Sequence, residues 1–151
     1  MGRLLISAVP AHHRARFFPG LKPVSDCIGF IIRGSHSIYF PGDTDLQLQL
    51  ARLKSAHLDL CLLPIWGWAI DDHGQHLNPL KAAQALKLIQ PKVAIPYHWG
   101  TFLPLVFKPF FSKYLIRPVD LFATATKKLA PGVQIIIVPP GKKIDITGKF
   151  S

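Results

Sequence analysis

The segment SIYFPGDT, residues 37–44, predicts a short strand that ends in a tight turn. Its first four residues include β-branched and aromatic side chains, which favour a pleated, half-buried strand. Pro41-Gly42 then interrupts regular structure and places Asp43 at the carboxyl end of the strand, where α/β folds commonly carry functional groups. A carboxylate in this place can bind a metal ion or act as a base. Taken alone, the segment favours the simpler role of capping the turn or the following helix.

The remainder of the chain alternates strands with helices, which is typical of an α/β layered fold. Strands are predicted at residues 4–9, 27–33, 37–40, 58–63, 93–96 and 133–138. Helices are predicted at residues 46–55, from Pro79 onward with Ile89 on its apolar face, and at residues 118–129. The second helix has the clearest signals, because Asn78 suits the N-cap and Pro79 the first helical position. No repeat or linker is evident, so we expect one domain over residues 1–151.

The composition indicates a folded chain with an unevenly distributed positive charge. Apolar residues make up 49% of the 151 residues, enough for a real core. There are 18 Lys and Arg against 8 Asp, and residues 76–151 carry 9 of the 10 net positive charges. Such a surface attracts phosphorylated substrates, nucleic acid or acidic lipid headgroups, although a solvated surface without a partner is an equal alternative. Cys27 and Cys61 predict free thiols, and no apolar run reaches membrane-spanning length, so we expect a cytoplasmic protein.

Three predicted strands end in the same manner, with proline or glycine followed by a histidine or an aspartate. These loops contain Pro10-Ala11-His12-His13, Pro41-Gly42-Asp43 and Pro96-Tyr97-His98. If the strands lie side by side, then His13, Asp43 and His98 converge on one edge of the sheet. Imidazole and carboxylate ligands suit zinc, iron or manganese, and a metal ion held there would activate water near neutral pH. Structural roles for each histidine remain the alternative.

The same motifs, in order, carry a family resemblance. They are Pro10-Ala11-His12-His13, Tyr39-Phe40-Pro41-Gly42-Asp43-Thr44, Leu62-Leu63-Pro64-Ile65, His76-Leu77-Asn78-Pro79 and residues 96–102, PYHWGTF. Together they resemble the metallo-β-lactamase superfamily, and within it the branch that contains N-acyl-phosphatidylethanolamine phospholipase D and the L-ascorbate-6-phosphate lactonases. The resemblance implies an αββα sandwich, of which this chain corresponds to the C-terminal half.

The resemblance also implies a set of site residues. His13 corresponds to a ligand of one metal ion, Asp43 to the carboxylate that bridges two ions, and His98 to a ligand of the second ion. His76 corresponds to a histidine at the substrate end of the site, so Asp43 and His76 are the expected catalytic residues. His12 does not match the motif position. The implied cofactor is one or two zinc ions, with manganese or iron as alternatives.

One family motif, His-x-His-x-Asp-His, has no counterpart in this sequence. Catalytic zinc usually has three protein ligands and a water molecule, so we expect the chain alone to bind metal weakly and to be inactive. A half-sandwich would also expose an apolar face. Three alternatives follow: the full chain is longer, a partner chain or a second copy in a dimer covers that face, or the chain is a decayed remnant.

Two functions follow from these expectations. The first is a metal-dependent hydrolase that acts on an anionic substrate, either a phospholipid-like phosphodiester or a lactone. The alternative is a non-catalytic subunit that binds anions, an acidic membrane surface or a partner chain. Residues 102–114 interleave aromatic residues with lysines and prolines, which suits a membrane-peripheral segment or a lipid channel, although a packed loop is favoured slightly. Nucleic acid ranks third, because no compact stacking motif accompanies the basic residues.

Overall fold

The computed structural model describes residues 3–13, 27–66, 76–100, 108–146 and 148, and for residues 108–114 it describes the backbone alone. Six strands within this part of the chain form one sheet in sequential order. They are β1 (Leu5–Ala11), β2 (Cys27–Arg33), β3 (Ser37–Phe40), β4 (Leu60–Pro64), β5 (Val93–Tyr97) and β6 (Gln134–Ile135). β1, β2 and β3 pair antiparallel, and β3 to β6 pair parallel. The carboxyl ends of β1, β3, β4 and β5 therefore lie along one edge, called here the carboxyl edge.

Three helical elements accompany the sheet. They are a 3₁₀ helix (Leu48–Ala56), α1 (Pro79–Ile89) and α2 (Lys108–Leu129). Their buried residues pack against one face of the sheet, called here the first face, which is formed by every second residue of each strand. The resulting core contains Ile31, Tyr39, Cys61, Leu63 and Ala94 from the strands, and Leu50, Ala82, Leu86 and Phe122 from the helices. The main hydrophobic core thus lies between the first face and the helices.

The second face of the sheet is also apolar. Because strand side chains alternate between faces, this face carries Ile6, Ile28, Phe30, Ile32, Ile38, Phe40, Leu60, Leu62, Val93 and Ile95. Leu60 and Val93 are buried there by neighbouring strand residues and by Ile136 and Ile146. Towards the β1 end, however, Ile6 is 61% exposed and Ile28 is 53% exposed. The apolar area predicted for a half-sandwich is therefore present.

Most predicted elements are found. The bounds of β1, β4 and β5 differ from the predicted ones by at most two residues, and three further elements differ more in extent or type. β2 and β3 have the predicted bounds. α1 begins at the predicted Pro79, and the Asn78 side chain caps it by accepting a hydrogen bond from the Lys81 backbone N–H at 2.9 Å. The segment predicted as a helix at 46–55 is a 3₁₀ helix with only Leu50 buried, because its leucines do not follow the α-helical period.

The predictions for the last helix and the last strand were wrong in length. Proline suits the first turn of a helix, which placed the predicted start at Pro118, but α2 begins at Lys108 and continues through that proline. The strand predicted at 133–138 is reduced to Gln134–Ile135, which pairs only with the start of β5. No helix in the described part of the chain has the length and apolar character needed to cross a membrane.

Candidate metal centre

Four titratable side chains from four loops meet at the carboxyl edge. Donor atoms of His13, Asp43 and His76 all lie within 4.8 Å of one another. Nε2 of His98 lies 3.9 Å from Oδ1 of Asp43. The ring centroid of His76 is 4.7 Å from that of His13 and 5.7 Å from that of His98. Asp43 and His76 thus each lie close to both His13 and His98.

The sheet topology explains why these loops converge. His13 follows β1, Asp43 follows β3 and His98 follows β5, and these three strands run in the same direction. His76 comes instead from the segment that leads into α1. Among the described residues of the cluster, Asp43 has the more accessible side chain, at 42% exposed, whereas His76 is 9% exposed. A ligand would therefore approach from the side of Asp43.

The orientation of the His98 ring is set by a backbone carbonyl. Nδ1 of His98 hydrogen-bonds the carbonyl oxygen of Trp66, which follows β4. A carbonyl can only accept, so Nδ1 carries the proton and the lone pair of a neutral ring lies on Nε2, which faces Asp43. His98 also has a φ of 61°, a left-handed conformation that is uncommon for residues other than glycine and is found often at functional sites. These features suit a metal ligand held by an outer hydrogen bond.

Residues 42–45, called here the hub loop, connect the other loops of the site. The Thr44 hydroxyl accepts a hydrogen bond from the His12 N–H at 3.0 Å. The Asp45 N–H donates to the His12 carbonyl at 2.7 Å, and the Leu77 N–H donates to the Thr44 carbonyl at 2.9 Å. Residues next to His13 and His76 are therefore bonded directly to the loop that carries Asp43.

The loop after β5 is connected to the hub loop as well. The Tyr97 hydroxyl donates a hydrogen bond to the carbonyl of Gly42. Burial, and then the nearby Asp43 carboxylate, raise the pKa of Tyr97 well above its usual range, so the phenol keeps the proton that it donates. Gly42 has a φ of +65°, which a residue with a side chain would adopt only with strain. The hydroxyl thus ties the residue before His98 to the residue before Asp43.

A glycine in β2, Gly29, makes room for the backbone that leads from β3 into the hub loop. A Cβ atom on Gly29 would lie 2.6 Å from Cα of Pro41 and 3.0 Å from the carbonyl oxygen of Phe40. Both neighbours are backbone atoms, so neither can move aside as a flexible side chain would. The absence of a side chain at Gly29 therefore allows Pro41, which follows β3, to pack directly against β2.

The donor set fits a divalent transition metal. Three imidazoles and one carboxylate are ligands that zinc, iron and manganese accept. Zn–N distances of about 2.0–2.1 Å place two ligands of one ion at most roughly 4.2 Å apart. The 4.8 Å limit on the His13, Asp43 and His76 donor atoms is close to this value, and ligands of two neighbouring ions can lie further apart.

The structure brings together all four residues expected at the site: His13, Asp43, His76 and His98. The family resemblance placed His76 at the substrate end of the site, but its donor atom lies within 4.8 Å of those of His13 and Asp43, which makes it a fourth candidate ligand. The roles of these residues stay predictions. His12 has an exposed side chain and contributes its backbone to the hub-loop contacts.

Sequence reasoning missed the hub-loop contacts of Thr44 and Asp45, and those of Lys81 and Tyr97. Thr44 lies in the GDT motif and could have been singled out, but nothing in the sequence connects Lys81 with Asp45. The sequence leaves two roles open for Trp66, Trp68, Asp71 and Asp72, a substrate pocket or a packed loop, and except for Trp66 these residues lie outside the described part of the chain. Of the segment at 102–114, only the backbone from Lys108 onward is described, as the start of α2.

Known proteins resemble this chain in sequence and in fold. "UPF0173 metal-dependent hydrolases" of Methanopyrus kandleri and Archaeoglobus fulgidus are 29% and 32% identical over 146 and 149 residues, covering 94% and 95% of this chain. Igni18, described as a novel metallo hydrolase from Ignicoccus hospitalis, has a TM-score of 0.66 at 23% identity and is matched over 52% of its length by 93% of this chain. YhfI, a metallo-β-lactamase fold protein from Bacillus subtilis, has a TM-score of 0.62 at 16% identity. The match covers 92% of this chain and 48% of YhfI. At these identities the two structures show the fold alone.

The two sequence relatives are longer proteins. The chain spans about half their length, 56% and 58%. A family model described as "Beta-lactamase superfamily domain" matches residues 1–99, more than half of the chain. The predicted α/β fold and the predicted family are confirmed, and the chain belongs to the metallo-β-lactamase superfamily.

Proposed function

We propose that this chain carries part of the metal centre of a hydrolase that cleaves a phosphodiester or a lactone in an anionic substrate. The observation that supports this proposal most is the meeting of His13, Asp43, His76 and His98 at the carboxyl edge. The names of the sequence relatives, metal-dependent hydrolases, agree with it. The cluster lies outside the main hydrophobic core, so packing alone does not require it.

Each residue has a distinct task in this proposal. Asp43, the most exposed of the four, lies between the histidines and would bind metal on the side open to substrate. His98 would present Nε2 to the ion while Nδ1–H stays on the Trp66 carbonyl. His13 would ligate on the opposite side, and His76 would either add a ligand or orient the substrate. A bound zinc, manganese or iron ion would polarise the scissile group and lower the pKa of water towards neutrality.

The charge of the chain supports an anionic substrate. The net charge is +10, and residues 76–151 carry most of it. A positive surface raises the local concentration of anions and speeds their association. Phosphodiesters and anionic lactones share this attraction, and both are cleaved by attack of water at a polarised centre. The resemblance to phospholipase D-like and lactonase-like enzymes favours the same two classes.

The proposal is tested by hydrolysis assays on the chain loaded with zinc or manganese. Bis-(p-nitrophenyl) phosphate and an anionic aliphatic lactone represent the two classes. The test variant is Asp43→Asn, and the matched control is Asp120→Asn, at an exposed position on α2. We expect metal-dependent turnover that Asp43→Asn lowers by at least roughly 100-fold and that the control leaves unchanged. Turnover that is equal in Asp43→Asn, or that does not depend on metal, would contradict the proposal.

The absence of the motif His-x-His-x-Asp-His from this sequence bears on the strength of the site. We propose that further ligands come from outside these 151 residues, either from a longer chain or from a covering partner, so the 151 residues alone would bind metal weakly and turn over slowly. The same partner, either another chain or a second copy, would lie on the second face of the sheet, where Ile6 and Ile28 are exposed. We expect the protein to work in the cytoplasm, with contact to acidic membrane surfaces as a further proposal.

The alternative function is a non-catalytic subunit that binds a partner through the second face. The observation that favours it is the exposure of Ile6 and Ile28 on that face, because an apolar patch at the surface often marks an interaction site. Under this alternative, the chain binds a partner or self-associates, but metal is retained by neither the chain nor the complex. The metal measurement at the end of the Discussion separates the two functions.

A further inference from the structure

An ion pair connects α1 to the hub loop, the loop that carries Asp43. Nζ of Lys81 is 2.7 Å from Oδ1 and 2.9 Å from Oδ2 of Asp45. Oδ1 of Asp45 also accepts a hydrogen bond from the Leu46 N–H at 2.7 Å. The Asp45 side chain is 12% exposed and that of Lys81 is 28% exposed. A contact to both carboxylate oxygens at this burial is stronger than an ordinary surface ion pair.

The pair joins the two segments that carry Asp43 and His76. Asp45 is two residues after Asp43, and its N–H is bonded to the His12 carbonyl. Lys81 belongs to the first turn of α1, the turn that Asn78 caps, and the chain reaches this cap directly from His76. The ion pair therefore fixes the start of α1 against the hub loop.

A backbone hydrogen bond depends on the same alignment. The Leu77 N–H donates to the Thr44 carbonyl at 2.9 Å, and Leu77 lies between His76 and the start of α1. If the ion pair opens, α1 can shift relative to the hub loop, and this hydrogen bond lengthens. The separation of the His76 and Asp43 donor atoms changes with it.

We propose that Lys81 and Asp45 are positioning residues that set the distance between Asp43 and His76 for metal binding. The inference rests on the proposed metal centre and adds two residues to it. Neither residue is a ligand, since both act through the segments that carry the ligands. A change of one ångström in such a distance is large for a metal site.

A second lysine–aspartate pair provides a matched control. Nζ of Lys92 lies 3.1 Å from Oδ1 of Asp59. Asp59 also accepts a hydrogen bond from the Ser37 N–H at 2.9 Å, at the start of β3. This pair is therefore at the opposite edge of the sheet from the cluster, so breaking it changes charge and stability without touching the site.

The experiment compares Lys81→Met with Lys92→Met in the full 151-residue chain. Cobalt(II) is the probe, because its visible absorption reports ligand geometry and a chelator competition gives its affinity. We expect Lys81→Met to weaken cobalt binding by roughly 10- to 100-fold, the usual effect of losing an outer partner of a metal site, and to change the absorption spectrum. We expect Lys92→Met to leave both unchanged, and Lys81→Arg to restore most of the affinity. Asp45→Asn is a second variant with the shape retained, should Lys81→Met fail to fold.

Equal cobalt affinity and equal spectra in the two Met variants would overturn the proposal, whatever their thermal stabilities. Amide hydrogen exchange of the metal-free protein provides a separate readout. We expect exchange at Asp45 and Leu77 to be roughly tenfold faster in Lys81→Met than in Lys92→Met. Faster exchange would support the positioning role even if the wild type bound no cobalt. Absence of cobalt binding would refute the metal centre but not the contact between α1 and the hub loop. Unchanged exchange at both amides would overturn the positioning role.

Discussion

The hydroxyl of Thr44 is the most buried polar group of the hub loop, and its removal is a direct test of that loop. Thr44 is 0% exposed. Its Oγ1 accepts from the His12 N–H at 3.0 Å and donates to the Asp45 carbonyl at 3.2 Å. Valine has nearly the same shape, so Thr44→Val removes both hydrogen bonds and leaves little empty space. The partly buried His12 N–H then has no acceptor from residue 44, which costs about 1–3 kcal/mol.

The assay for this prediction is urea unfolding at equilibrium. The matched control is Thr124→Val, whose exposed hydroxyl donates to the Asp120 carbonyl within α2 at 2.8 Å. We expect Thr44→Val to lower the free energy of unfolding by about 2 kcal/mol, and the control to change it by less than about 0.5 kcal/mol. The loss should also loosen the His13 loop and weaken metal binding. Equal changes in the two variants would refute the role assigned to the hub loop.

Two further predictions concern the approach to the site and the opposite edge of the sheet. Gly29→Ala places a Cβ atom 2.6 Å from Cα of Pro41, so we expect a loss of about 1–3 kcal/mol in urea unfolding. Gly132→Ala, with no atom within 4 Å, should change little, and equal losses would contradict the close approach. The hydrogen bond from the Ser37 N–H is the main cause that lowers the pKa of Asp59 from 3.8. A carboxylate with a lowered pKa in the folded protein stabilises the fold above pH 3.8, and this stabilisation is lost as the pH falls through the pKa of the folded state. Asp59→Asn should therefore lose less stability in acid than the wild type does. Identical acid titrations of the two proteins would refute this prediction.

Local chemistry explains which parts of the fold could be predicted from the sequence. Asn78 and Pro79 are strong start signals, and the bounds of α1 follow them. Helix-like spacing was weaker at 46–55, where only Leu50 is buried, and the segment forms a 3₁₀ helix. Pro118 misled the prediction, because a proline inside a helix removes only one backbone donor and other contacts can outweigh that loss. The single domain over residues 1–151 stays a prediction.

The site was predictable where the sheet alone places a residue and not where two distant segments meet. His13, Asp43 and His98 each follow a strand, so parallel strand directions were enough to bring them together. His76 reaches the cluster through the packing of α1 against its neighbours, which sequence periodicity does not specify, so only the family resemblance placed it at the site. The Lys81–Asp45 pair joins residues 36 positions apart, and only the folded chain reveals it.

The central claim, that His13, Asp43, His76 and His98 form a metal centre, is tested most directly by metal content and affinity. Purified chain is dialysed to equilibrium against buffer that contains excess zinc, so that a weakly bound ion stays on the protein, and bound metal is measured beside Asp43→Ala and the control His36→Ala, which lies in the turn between β2 and β3. We predict about one equivalent of zinc in the wild type and in the control, and loss of that metal in Asp43→Ala. Less than about a tenth of an equivalent in the wild type, or full retention in Asp43→Ala, would contradict the account.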